Sequence, residues 1–450
     1  MLPKPLRVIW GDLTYEEVKK FSILASAFFI IMSVNWILKT LKDPIFDLYV
    51  GFNYQPWAKL VSLMFVGLSV IFYSKLIDLF KRISVYFIMC GCYGCSFLIL
   101  ALLLKFPGFV AVGFTSWIPG NSVGWACYLL IESFGSMMPA LFWGFVASVT
   151  TTESAKRGYA MIITCAQVGT VIFPLLISYY ISRVGLPIFF VVAGMSIGIV
   201  PFIIRFYNDI MGSEVTQIAN YKGITRSTGF FQGARLLLTR PYLMSIFAVA
   251  TLYEFVGVIL DFQKGLLISA HYPAKLDGGQ AFVWFKGVEG SLIGVVSILF
   301  AMFGTSFFMR RFGLRFCIMC FPTVISCVMI MIYSLYWFNI PSLQLIWIFL
   351  GATIIIKGLN YALNNPSKEV LYIPTSQDVK FKTKGWIDAF GARLLKVCGS
   401  CVNEVLKGSI PLLMSMGTLL SLGIIGIWFV AAHFVSTSFE DIIQHDTIVE

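Results

Sequence analysis

Residues 21–43 read FSILASAFFIIMSVNWILKTLKD: some eighteen residues of apolar and small side chains, then Lys39, Lys42 and Asp43. A bilayer core about 30 Å thick needs roughly 20 apolar residues per helix, so this stretch reads as a membrane span that ends in charge. Eleven further stretches repeat the pattern, at approximately 58–80, 83–104, 122–150, 158–182, 185–206, 241–260, 285–309, 313–336, 341–363, 386–406 and 410–436. With 58% hydrophobic and 12% charged residues, no soluble domain is left between them. The expected fold is therefore an all-α polytopic membrane protein of about twelve helices.

Positive charge sets the expected orientation, because cytoplasmic loops keep Lys and Arg. Of the 33 basic residues, 21 fall in the N-terminal segment and in the loops after spans two, four, six, eight and ten. Six fall in the opposite loops: Lys42, Lys105, Arg183, Lys264, Lys275 and Lys407. The other six (Lys39, Lys59, Lys286, Lys357, Arg393, Lys396) lie in or beside apolar stretches. Both termini are expected in the cytoplasm. The net charge of +11 is then topology charge facing anionic lipid, and no nucleic-acid partner is expected. Thr14-Tyr15-Glu16-Glu17 reads as a capping box opening a short amphipathic helix rather than a signal peptide, and no Ser/Arg-rich transit extension precedes it. A bacterial inner membrane is the expected location.

Ten Cys residues sit mostly inside spans as small apolar groups, so no disulfide framework is expected. His271, His433 and His445 lack metal-ligand spacing, and neither a metal nor a cofactor is expected. The short basic turns 73–82 and 308–315 occupy the same place in two six-helix halves. The polar, glycine-bearing stretch 208–240 would link them. This divides the chain into 1–207, the linker 208–240, 241–436 and an acidic tail 437–450. Such an arrangement is major-facilitator-like, with substrate bound near the midplane.

Charges inside spans are costly, about 2.5 to 3.5 kcal/mol each at a helix centre, and mark partners or wet cavities. Lys39, Lys42 and Asp43 end span one. Glu132 lies ten residues into span four, Glu254, Asp261 and Lys264 lie in or after span seven, and Lys286 and Glu289 share a face of span eight. Asp388, Arg393, Lys396 and Glu404 occupy span eleven. Lys39 with Lys42 and Arg393 with Lys396 are each three apart, so two helices could present four cations to a polyanion. The competing reading has Lys39 and Lys42 snorkelling to the interface and Arg393 paired with Asp388. No His-Asp pair or catalytic motif supports an enzyme.

Several of these residues stand in ordered motifs. They are Leu38-Lys39-Thr40-Leu41-Lys42-Asp43; Glu132-Ser133-Phe134-Gly135 with Leu141-Phe142-Trp143 and Glu153-Ser154-Ala155-Lys156-Arg157; Pro366-Ser367-Lys368-Glu369 with Tyr372-Ile373-Pro374; and Lys382 through Lys396. In them the chain resembles the ATP/ADP translocase family of obligate intracellular bacteria and plastids. The resemblance implies a twelve-helix nucleotide carrier that exchanges ATP for ADP, with phosphate a further substrate. It implies that Lys42, Glu132, Arg393 and Lys396 serve transport and that Gln167 stands where many members have Asn; Lys39 joins them as a substrate ligand from its spacing to Lys42. Asp261, Lys264, Lys286, Glu289 and Asp388 would serve coupling or gating. A monomer is expected. The chain departs from the family at Asp261, where the acid is shifted, and at Leu395, which replaces a Gly beside Lys396. Setting Lys39, Lys42, Arg393 and Lys396 against Glu132 and Asp388 leaves two surplus cations, which favours exchange over empty return. The alternatives are proton-coupled uptake of nucleotides or other phosphorylated metabolites through Glu132 or Glu289, and a membrane binding protein without transport.

Overall fold

In a computed structural model, residues 14–80, 82–106, 120–150, 152–221, 235, 237–303, 305–375, 383–384 and 386–445 are described. Among these residues there is no β-strand, and twelve long helices carry the chain: α1 Tyr15–Tyr49, α2 Gln55–Leu79, α3 Arg82–Lys105, α4 Ser122–Val149, α5 Thr152–Val184, α6 Leu186–Tyr221, α7 Pro241–His271, α8 Gln280–Phe303, α9 Thr305–Trp337, α10 Ser342–Leu359, α11 Ala392–Leu406 and α12 Ile410–Gln444. Eleven of them are long and apolar enough to cross a membrane. The exception is α11, only 15 residues long and diluted by Arg393, Lys396, Asn403 and Glu404; a π-helical turn, Ile387–Gly391, precedes it.

Helix ends differ from the sequence reading in two places that matter. The Thr14–Glu17 capping box is present, but it opens α1 itself rather than a separate short helix. The same helix runs 35 residues through Pro44 to Tyr49, so Lys39, Lys42 and Asp43 lie within it and not at its end. Likewise α7 continues to His271 and encloses Asp261 and Lys264. A hydropathy reading ends a span where charge begins, whereas a buried helix continues wherever neighbours satisfy the charge. Lys42 and Lys264 are therefore helix residues, not loop cations. Similarly, α6 extends to Tyr221, into the stretch read as linker, and 222–234 lie outside the described residues.

The chain forms two compact units, Met1–Gly51 with Val61–Thr225 and Ala274–Gly294, and Phe52–Leu60 with Arg226–Pro273 and Val295–Glu450. Inside the first, α1 packs on α4, α5 and α6, and α3 packs on α4 and α6. The second repeats the scheme with α7 on α10, α11 and α12, and α9 on α10 and α12. Equivalent pairs recur at a six-helix interval, the signature of an internal repeat.

Small residues set how closely these helices approach, as expected where lipid replaces water. In the first unit, Gly287, Gly290 and Gly294 of α8 lie against Pro174, Ser178, Thr170 and Val171 of α5. Ser178 Oγ donates to Trp284 O at 3.2 Å and Ser291 Oγ to Val171 O at 2.8 Å. In the second unit, Gly391, at the end of the π-helical turn, and Gly399 of α11 face Phe247 and Phe255 of α7, with a spacing of eight residues on each side. That register turns Ser400 and Asn403 inward, both fully buried, and leaves Leu394, Cys398, Cys401 and Val405 exposed. The exposed stripe is the apolar one because the surrounding solvent is lipid.

Candidate functional site

In the first unit, aromatic stacking fixes α1 against α4. Phe28 lies 4.5 Å from Phe142 and Phe46 lies 5.1 Å from Tyr128, centroid to centroid. Between these contacts Gly135 meets Asn35; a Cβ there would fall 2.9 Å from Asn35 Oδ1. The close approach brings Lys42 Nζ onto Glu132 Oε1, and the same ammonium sits 4.5 Å above the Tyr128 ring. Asp43 adds a second acid, 3.9 Å from Lys42 Nζ. Its other oxygen lies 2.9 Å from Lys286 Nζ, delivered by α8. Glu132, Lys42, Asp43 and Lys286 thus form one ionic chain across α4, α1 and α8. Glu289, one turn beyond Lys286, is buried. Beside Glu132, Ser133 Oγ bonds Tyr93 Oη at 2.6 Å and Ser69 Oγ at 3.1 Å, which ties α2, α3 and α4 together.

The second unit carries its own constellation on one stripe of α7. Glu254 and Asp261, two helical turns apart, hold cations from α11 and α10 respectively. Lys396 Nζ lies 3.4 Å from Glu254 Oε2. Asp261 is shared: Lys357 Nζ lies 3.0 Å from each carboxylate oxygen, and Lys264 Nζ lies 3.2 Å from Oδ1. Lys264 also donates to Thr353 Oγ1 at 3.2 Å. Thr353 and Lys357 are four apart on α10 and so share the face that meets α7. Gln263, fully buried, donates to Leu413 O at 2.9 Å and joins α7 to α12.

Of the residues picked out by sequence, the structure brings Lys42 to Glu132, Lys286 to Asp43 and Lys264 to Asp261. Lys42 does not snorkel, its side chain being only 13% exposed; Lys39 is exposed and lies 5.6 Å from the Trp36 ring. Gln167 stays within α5, its Oε1 accepting from Thr170 Oγ1 at 3.0 Å. Arg393 is half-buried on α11. The side chains of Asp388, Glu153, Lys156 and Arg157, and all of Lys382, lie outside the described residues. Lys357 and the pairing roles of Asp43 and Glu254 were missed. Lys357 is the only charged residue in α10, a signal that the rarity of intramembrane charge could have raised. No cluster of His, Cys, Asp and Glu able to hold a metal occurs among the described residues.

The arrangement sets ammonium groups on membrane-spanning helices against carboxylates of neighbouring helices.

The family described as TLC ATP/ADP transporter matches residues 121–439. ADP,ATP carrier protein 1 of Rickettsia prowazekii (strain Madrid E) is 22% identical over 448 residues, covering 88% of this chain and 87% of the relative. ADP,ATP carrier protein 1 of Chlamydia pneumoniae is 26% identical over 346 residues, covering 68% and 65%. Among solved structures, the nucleoside transporter NupG superposes with a TM-score of 0.62 at 12% identity, covering 93% of this chain and 99% of that one. The inward open xylose transporter XylE from E. coli gives 0.58 at 12% identity, covering 93% and 95%. These likenesses show the major-facilitator-like fold.

Proposed function

The chain belongs to the TLC ATP/ADP transporter family, and from that premise we propose that it exchanges ATP for ADP across a bacterial inner membrane by alternating access. Both termini lie in the cytoplasm, and the carrier works as a monomer whose halves, 1–207 and 241–436, move about the linker 208–240. Lys42, Lys39, Arg393 and Lys396 take phosphate groups, with Glu132 as the counter-ion that holds Lys42 until substrate arrives, and Gln167 contributes polar contacts. Asp261, Lys264, Lys286, Glu289 and Asp388 serve coupling and gating.

One observation carries this reading: paired lysines held in place inside the bilayer by carboxylates. Lys42 on Glu132 and Lys396 on Glu254 are charge-assisted pairs between different helices. A polyphosphate offers each ammonium a better-charged partner, so the pairs can open without stranding a cation in lipid. Commitment of Glu132 to Lys42 also supports an electrostatic role for that carboxylate over proton carriage.

Radiolabelled ATP uptake by cells expressing the chain tests the proposal, with competition by unlabelled ATP, ADP and other nucleoside triphosphates. Uptake competed by ADP supports it. No uptake of any nucleotide, with the protein present in the membrane, refutes it.

A further inference from the structure

Asp261 is one carboxylate shared by two ammonium groups, and the two are not alike. Lys264 is fully enclosed, at 0% side-chain exposure, and is held by Thr353 as well as by the carboxylate. Lys357 grips both carboxylate oxygens yet keeps 26% of its side chain exposed, close to the 28% of Asp261 itself. A desolvated ammonium has no water to fall back on, so burial dictates which lysine the acid must satisfy for the fold to hold. That lysine is Lys264. Removing Lys357 would still leave Asp261 paired, so no buried charge would be orphaned. Folding does not need the second cation.

Local structure adds to the case. Lys357 stands in the last turn of α10, directly before a π-helical turn, Asn360–Asn364. Asn364, 1% exposed, donates through Nδ2 to Asn360 Oδ1 at 2.8 Å, while its own Oδ1 has no hydrogen-bond partner. Wide turns of this kind loosen the regular ladder and concentrate where a helix has work to do. Lys357 is thus the last charged side chain before the helix widens, one turn beyond Thr353.

We propose that Lys357 is a specificity-determining residue that counts substrate charge: Asp261 stores it in the empty carrier, and the terminal phosphate of a nucleoside polyphosphate draws it away. The proposal rests on the reading of the chain as a nucleotide exchanger. Its logic is a threshold. A carboxylate carries one negative charge, and a terminal phosphate near neutral pH carries nearly two, so a polyphosphate end outcompetes Asp261 where a singly charged ligand does not. Lys264 stays behind and keeps Asp261 neutralised throughout.

The test is uptake kinetics in proteoliposomes for wild type, Lys357→Gln and Lys357→Arg, with ATP and ADP as substrates, cyclic AMP as a singly charged competitor, and purified protein checked by thermal melting. For Lys357→Gln the KM for ATP should rise at least about tenfold, the loss of one charged hydrogen bond. The inhibition constant of cyclic AMP, whose phosphodiester carries a single negative charge, should hardly move, and melting should stay near wild type. Lys357→Arg should restore most of the ATP affinity. A uniform fall in maximal rate with the KM values for ATP and ADP unchanged would overturn the assignment, and so would failure of Lys357→Gln to fold. Wild type that takes up no nucleotide would overturn the exchange reading itself, and this proposal with it.

Discussion

The two units place an ion pair on the same pair of helices with opposite polarity. In the first, the cation stands on the half's first helix and the anion on its fourth, Lys42 with Glu132. In the second, the anion stands on the first and the cation on the fourth, Asp261 with Lys357. Lys42 and Lys264 even keep a common register, each seven residues before the end of its helix. The surroundings differ too. Beyond residue 35, α1 together with α4 and α8 sets Lys39, Lys42 and Lys286 against Asp43, Asp47, Glu132 and Glu289. In contrast, α7, α10 and α11 set Lys264, Lys357, Arg393 and Lys396 against Glu254, Asp261 and a Glu404 already engaged by Lys407 at 2.6 Å. The repeated scaffold places charge at matching positions, and among the residues named here the positive surplus lies in the second unit.

The largest effect should come from Asp261→Asn, which strands two ammonium groups at once. Breaking a buried pair costs about 3–5 kcal/mol, so the variant should lose its cooperative melting transition in detergent and all transport. A wild-type melting curve would refute the shared-carboxylate account. Next come Glu132→Gln and Lys42→Glu, each expected to abolish most ATP flux. Combining Lys42→Glu with Glu132→Lys gives the first unit the polarity of the second; the pair should recover the melting temperature of wild type but not its flux. Flux recovered along with stability would mean that polarity is immaterial.

Lys396→Ala is smaller for the fold and still large for function. Its side chain is 49% exposed, so melting should shift little while ATP uptake falls roughly tenfold or more; equal uptake would remove Lys396 from the substrate path. Smallest is Trp57→Phe. Trp57 Nε1 donates to Glu404 Oε1 at 2.7 Å, and one hydrogen bond contributes about 1 kcal/mol. A melting shift of a few degrees with normal flux is expected, and loss of flux would show that this contact belongs to the transport cycle.

The spans and their repeat were legible because apolar runs of bilayer length leave few other folds, and Glu132 stood out as a lone acid within one of them. Helix ends were not legible where charge is buried: Lys42 and Lys264 mimic loop residues in any hydropathy reading, and only their carboxylate partners explain why the helices continue. Pairing across helices was hidden as well. Lys286 meets Asp43 because Gly287, Gly290 and Gly294 let α8 lie close on α5, a three-dimensional cause with no local trace around Asp43. Lys357 carried one signal, a lone charge in an apolar span, but its partner Asp261 lies 96 residues away.

Counter-exchange measures the central claim most directly. Proteoliposomes loaded with labelled ATP should retain it in buffer, release it within minutes when ADP is added outside, and respond in the same way with a protonophore present. Release into buffer alone at the same rate, or release abolished by the protonophore, would contradict an exchanger driven by paired intramembrane charge.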